Sequence, residues 1–91
     1  MDKINVMIVE DQAMPRALFE MYIKSNEKFN LVASIDNANV ADIYCMKNGV
    51  DLILMDVIPK GGASGLEASE KIKAMHPSTK IIIVTSMPEH S

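Results

Sequence analysis

Apolar residues fall in four short, β-rich runs along the chain, separated by stretches where they recur every three or four positions. Residues 4–9 are apolar at every position but Asn5 and stop abruptly at Glu10 and Asp11. A run apolar in both alternating sets predicts a strand of a parallel sheet, covered on both faces. Over residues 13–25 the period changes. Met14, Leu18, Met21 and Tyr22 recur at helical spacing, with Arg16, Glu20 and Lys24 on the other side, which predicts a helix with the first set as its apolar face. Pro15 suits the first turn of that helix, where its missing N–H costs nothing. Residues 29–35 read as a second, more alternating strand. Residues 39–48 read as a short helix with Val40, Ile43, Tyr44 and Lys47 at helical offsets, stopped by Asn48 and Gly49. A third strand over 51–55 ends at Asp56. A loop over 57–64 carries Pro59, Gly61 and Gly62. A third helix is predicted from about Gly65 to Met75, with Leu66, Ser69, Ile72 and Met75 along one stripe, Ser64 as N-cap and Glu67 as its capping-box partner. Pro77 ends it. Residues 79–84 read as a fourth strand, closing in Thr85 and Ser86.

The order is β-α-β-α-β-α-β, which predicts an α/β domain with right-handed crossovers and a parallel sheet. At 91 residues the chain holds one domain at most. Its net charge of −3 argues against gripping nucleic acid or an anionic membrane. No apolar run approaches the roughly 20 residues that span a bilayer, and residues 1–9 lack the long apolar region of a signal peptide. The single cysteine, Cys45, excludes an internal disulfide framework and a cysteine metal cluster, so a cytoplasmic location is expected. Cys45 itself is expected to be a small buried or half-buried residue. Of the eight methionines, Met7, Met55 and Met75 are expected to fill the core. His76 and His90 are expected to be solvated.

In an open parallel sheet, functional groups gather at the carboxyl ends of the strands. Those ends carry Glu10 and Asp11, then Asp36 and Asn37, then Asp56, then Thr85 and Ser86. Singly, each is an ordinary way to leave a strand. Together, if the first, third and fourth strands are neighbours, they put three carboxylates and a hydroxyl on one rim. Carboxylates that close repel and raise one another's pKa. A hard divalent cation relieves this, and Mg²⁺ takes one or two carboxylates and shares the rest of its shell with water and phosphate oxygens. A carboxylate beside such an ion is also a nucleophile toward phosphorus, giving an aspartyl phosphate. Asp56 is the natural nucleophile, Glu10 and Asp11 the natural metal holders, and Thr85 a donor to a phosphoryl oxygen. A separate possibility is the glycine-bearing segment 61–65, whose backbone N–H groups before a helix could cradle a phosphate. It is neither a P-loop nor a G-x-G-x-x-G turn after the first strand, and a flexible loop is the expected form.

These residues resemble the receiver domains of bacterial two-component response regulators. The resemblance rests on Glu10 and Asp11 after Ile8 and Val9, on Leu54, Met55 and Asp56, on Pro59, on Ser64 to Ala68, and on Ile81 to Ser86. It spans nearly the whole chain. It implies a flavodoxin-like, doubly wound parallel sheet of strand order 2-1-3-4, with a sensor histidine kinase as partner and Asp56 as phosphoacceptor. It also implies that Asp11 ligates Mg²⁺ directly, Glu10 acts through water, the carbonyl of Ile58 completes the protein's ligands, and Thr85 contacts the phosphoryl group and moves on activation.

Two departures from the family pattern stand out. Family members carry proline four and glycine eight residues after the phosphoacceptor, whereas here Pro59 follows Asp56 by three and Gly65 by nine. The family also has a lysine ending a fifth strand, and the chain reaches Ser91 before such a strand. Lys80 lies at the wrong end of the fourth strand to replace it. The expectation is therefore a receiver domain over 1–91, incomplete at its C-terminus and lacking the final strand and helices. The fourth strand's Ile81, Ile82, Ile83 and Val84 would form a bare edge that invites self-association. The expected activity is signalling, with only weak autophosphorylation from a phosphodonor and autodephosphorylation. DNA contact would come only through another domain of a longer protein. The rival readings are a nucleotide- or flavin-binding domain using segment 61–65, and a degenerate receiver serving only as an interaction module.

Overall fold

The computed structural model describes residues 3–56 and 62–84, and the side chains of all of these except 62–64. Strands β1 (Ile4–Val9), β2 (Phe29–Ile35), β3 (Leu52–Asp56) and β4 (Lys80–Val84) form one parallel sheet in the order β2-β1-β3-β4. Helices α1 (Ala13–Lys24), α2 (Ala41–Asn48) and α3 (Gly62–Met75) connect them, with a 3₁₀ turn at Ala38–Val40 leading into α2. This is the flavodoxin-like α/β order expected from the sequence.

Alternation along β1 divides the core in two. Met7 and Val9 join Ile53, Met55, Ile35, Ala41, Cys45, Val50 and Ile72 in a cluster under α2 and α3. Val6 and Ile8 point the other way and pack with Ile23, Phe19, Phe29, Leu31, Leu52 and Leu54 under α1. Both sets on β1 are buried, so the near-continuous apolar run is that of a central strand covered on both sides. Its one polar member is accommodated at the amino end of the sheet. The Asn5 side chain donates to the Gly49 carbonyl at 3.1 Å and accepts from the Asn30 amide at 3.1 Å. Its backbone N–H donates to Asp51 Oδ2 at 2.9 Å, and its carbonyl accepts from the Asp51 N–H at 2.8 Å. Gly49 closes α2 at φ 59°, the left-handed conformation that the Asn48-Gly49 stop predicts.

The helices face differently from the sequence expectation. On α1, Met14, Leu18, Met21 and Tyr22 are exposed, each by 60–75%. The inward arc is Phe19 and Ile23. Arg16 and Glu20, expected outside, reach the sheet: Arg16 Nη1 donates to the Glu10 carbonyl at 2.9 Å, and Glu20 Oε2 accepts from the Ser34 hydroxyl at 2.6 Å. Apolar residues occupy two arcs of α1, and these two polar tethers belong to the Phe19–Ile23 side, so that side turns inward. On α2, Ala41 and Cys45 are buried while Ile43 and Tyr44 are exposed, because the small pair lets the helix lie close on the sheet. On α3, Ile72 is fully buried and Ala68 packs on the core, but Leu66 and Met75 are half exposed, so Met75 is not a core residue.

Further corrections concern element ends. The predicted second helix begins as the 3₁₀ turn, with the Asn37 side chain accepting from the Asn39 N–H at 2.8 Å. Helix α3 starts at Gly62 rather than near Gly65, so Ser64 lies inside its first turn and is not its N-cap. The expected flexible loop over 61–65 is thus helical from Gly62 onward. Asp56 is the last residue of β3 rather than the first after it. His76, expected to be solvated, is half-buried, and its Nε2 is inaccessible with no hydrogen-bond partner among the described residues. Among those residues β4 is paired on one side only, with β3, and Ile82 and Ile83 are 49% and 42% exposed.

Candidate functional site

Register builds the site. Val9 pairs with Met55 across β1 and β3, so the chain leaves these two central strands with Glu10 and Asp56 side by side. Asp56 in turn pairs with Val84 of β4. Glu10 remains tied to the sheet, its N–H donating to the Ile35 carbonyl of β2 at 3.0 Å. Asp11 follows in the turn toward α1. Carboxylate oxygens of Glu10, Asp11 and Asp56 lie within 4.8 Å of one another. The sequence-predicted acids are therefore brought together at the carboxyl rim. Asp36, at the end of β2, is not part of that group.

The three acids sit in graded environments. Glu10 is buried, Asp56 half-buried and Asp11 exposed. Both Asp56 oxygens are inaccessible and have no hydrogen-bond partner among the described residues. A buried carboxylate in that condition is costly unless something else compensates it. Glu10 Oε2 accepts from the Gln12 N–H at 3.0 Å. Burial, and after it the neighbouring Asp56 carboxylate, push the Glu10 carboxyl up to about 7, against the lowering effect of the Gln12 N–H. Protonation of Glu10 relieves the repulsion between the two neighbouring acids when no cation is between them.

This donor set suits a hard cation. It is all oxygen, it converges on one point from two strands and a turn, and its Asp56 oxygens have no hydrogen-bond partner among the described residues. Ile58 and Thr85, predicted to supply a carbonyl ligand and a phosphoryl contact, lie outside the described residues, as does Pro59. Two contributors escaped the sequence reading: the Gln12 backbone N–H on Glu10 and the Arg16 guanidinium on the Glu10 carbonyl. The Arg16 signal was its position six residues after Glu10, within reach of the turn that α1 begins from. Cys45 is buried, as expected, and burial followed by the Asp42 charge raises its thiol pKa, so it is a structural residue.

Fold and site together define a doubly wound α/β domain with an acidic, cation-suited cluster at the carboxyl ends of its central strands. The response regulator receiver domain profile matches residues 6–91. The chain belongs to that family of signalling domains. Among curated proteins, it is 33% identical over 82 residues to the oxygen regulatory protein NreC of Staphylococcus haemolyticus (strain JCSC1435), a match covering 90% of this chain and 38% of NreC. It is 37% identical over 81 residues to the autoinducer 1 sensor kinase/phosphatase LuxN of Vibrio campbellii (strain ATCC BAA-1116), covering 88% of this chain and 9% of LuxN. The crystal structure of a DNA-binding response regulator of the LuxR family from Staphylococcus aureus superposes with a TM-score of 0.80 at 29% identity, covering 96% of this chain and 72% of that one. The chain thus spans well under half the length of these two curated relatives. No helix among the described residues is long and apolar enough to cross a membrane.

Proposed function

We propose that this domain is a phosphoacceptor in which Asp56 takes a phosphoryl group from the phosphohistidine of a sensor histidine kinase. The observation that carries the proposal is Asp56 itself, whose two inaccessible oxygens have no hydrogen-bond partner among the described residues and lie beside the Glu10 and Asp11 carboxylates at the end of a central strand. One Asp56 oxygen forms a bond to phosphorus as the phosphorus–nitrogen bond of the donor breaks, and the departing imidazole keeps the electron pair and takes up a proton. Asp11 and Asp56 would hold Mg²⁺, with Glu10 acting through water and the Ile58 carbonyl completing the set. The ion supplies charge neutralisation for the transferring group. Thr85 is proposed to donate to a phosphoryl oxygen and to move on activation. Hydrolysis of the aspartyl phosphate by water resets the domain, which makes it a timed signal rather than a metabolic enzyme.

The output is proposed to lie in a further domain, as the greater length of the curated relatives suggests. The DNA-binding LuxR-family relative supports a transcription regulator, working in the cytoplasm and touching DNA only through another domain. Among the described residues β4 pairs on one side only, and this and its exposed isoleucines support self-association as a further partner interaction. The test is labelling by a small acyl phosphate with Mg²⁺. The parent chain is expected to gain one base- and hydroxylamine-labile phosphoryl group, and Asp56→Asn none. Equal labelling of the Asp56→Asn variant would overturn the assignment.

A further inference from the structure

We infer that Arg16 is a positioning residue for the acidic pair, holding the Glu10–Gln12 turn by hydrogen bonds so that Asp11 and Glu10 converge with Asp56. The inference rests on the proposed cation site and names the group that builds it.

Asp56 needs no such help, because it is a ladder residue of β3 paired with Val84. Glu10 is still anchored by its N–H to Ile35. Asp11 is the exposed member, and it lies beyond the last ladder bond of β1. What orients it is the peptide group on either side. The carbonyl of Glu10, in the peptide that leads into Asp11, accepts from Arg16 Nη1 at 2.9 Å. The carbonyl of Gln12 accepts from the Arg16 backbone N–H at 3.1 Å. The side chain therefore holds the amino end of the three-residue turn, while the bond at its carboxyl end is the first backbone bond of α1 and is kept whatever residue stands at 16. The Gln12 N–H then closes on Glu10 Oε2 at 3.0 Å and fixes the Glu10 side chain as well.

The guanidinium does this without neutralising the acids. Among the described residues the single ion pair is Lys71 with Asp42, so Arg16 makes no carboxylate contact within 4.0 Å. Its hydrogen bond goes to a neutral carbonyl, which leaves the three carboxylates available to a cation. Half-burial of the side chain holds the fork in place. Outer partners that orient metal ligands typically change metal affinity by about 10- to 100-fold when removed.

The experiment compares the full chain with Arg16→Met, Arg16→Lys and Asp11→Asn. Mn²⁺ binding is read by electron paramagnetic resonance, and backbone amide shifts and exchange are read by NMR in EDTA. Arg16→Met is expected to bind Mn²⁺ about 10- to 100-fold more weakly while melting close to the parent in EDTA. Arg16→Lys is expected to recover part of the affinity. In EDTA, the amide shifts should move at Asp11 and Gln12, with loss of Gln12 protection, and stay put in β3. Parental Mn²⁺ affinity in Arg16→Met overturns the inference, as do unmoved Asp11 and Gln12 amides. If Arg16→Met fails to fold, Arg16→Lys decides on the same two readouts. Parent-like binding by Asp11→Asn instead refutes the cation site itself, and the EDTA spectra still decide whether Arg16 holds the turn.

Discussion

Replacing Glu10 by glutamine in the metal-free chain should abolish a specific pH dependence of stability. The Glu10 carboxyl is raised from 4.5 to about 7 by burial and by Asp56. Between those values the folded state holds a proton that the unfolded chain has released. Stability from this group is therefore fully present below pH 4.5 and is lost as pH rises through 7. The gap of about 2.5 units corresponds to about 3 kcal/mol. That is a large share of the roughly 5 kcal/mol expected for a domain this small. Glutamine keeps an acceptor for the Gln12 N–H, donates to Asp56 from its amide nitrogen, and carries no titrating charge.

Urea unfolding in EDTA, followed by circular dichroism from pH 4.5 to 8, reads the effect. With an m-value of about 1.5 kcal/mol/M, the parent midpoint should fall by about 2 M relative to Glu10→Gln across that range. Adding Mg²⁺ should reverse the trend for the parent, since the cation competes with the Glu10 proton and binds more tightly as pH rises through 7. Parallel parent and Glu10→Gln curves in EDTA would refute the reasoning, because the buried Glu10–Asp56 contact would then not control proton uptake.

Further predictions follow from other contacts. Thr79→Val should cost about 1–2 kcal/mol in urea unfolding, since the buried Thr79 hydroxyl donates to the Val50 carbonyl at 2.8 Å and its loss strands that carbonyl. Ile72→Ala should cost about 2–4 kcal/mol, because Ile72 is the fully buried anchor of α3 on the sheet. Leu18→Ala, by contrast, should shift the melting midpoint little, as that side chain is 60% exposed. Ile83→Lys should shift the chain toward monomer in sedimentation velocity, and an unchanged distribution would exclude the β4 edge as the contact.

The strands were legible because burial on both faces leaves a continuous apolar run, and β1 and β2 begin and end where those runs do. The helix faces were not. Hydropathy ranks Met14, Leu18, Met21 and Tyr22 as the stronger stripe of α1, yet the sheet takes Phe19 and Ile23. Two polar side chains decide the matter, Arg16 and Glu20, and their partners are a backbone carbonyl and a serine hydroxyl outside the helix. A pattern that counts apolar residues scores both as outward. The start of α3 was missed for a related reason: glycines at 61 and 62 read as loop, although a helix end tolerates Gly62.

The same division runs through the site. Glu10, Asp11 and Asp56 were legible because each ends an apolar run, and strand register does the rest. What holds them was hidden, since a carbonyl acceptor leaves no mark in a sequence. The acids state that charge is concentrated at one point, while Arg16 and the Gln12 N–H determine whether that point is a defined site or three mobile side chains. An Asp56 without a hydrogen-bond partner among the described residues, inside such a fixed ring, has a reason to gain from a cation, and then from a phosphoryl group, that an exposed aspartate at the same sequence position would lack.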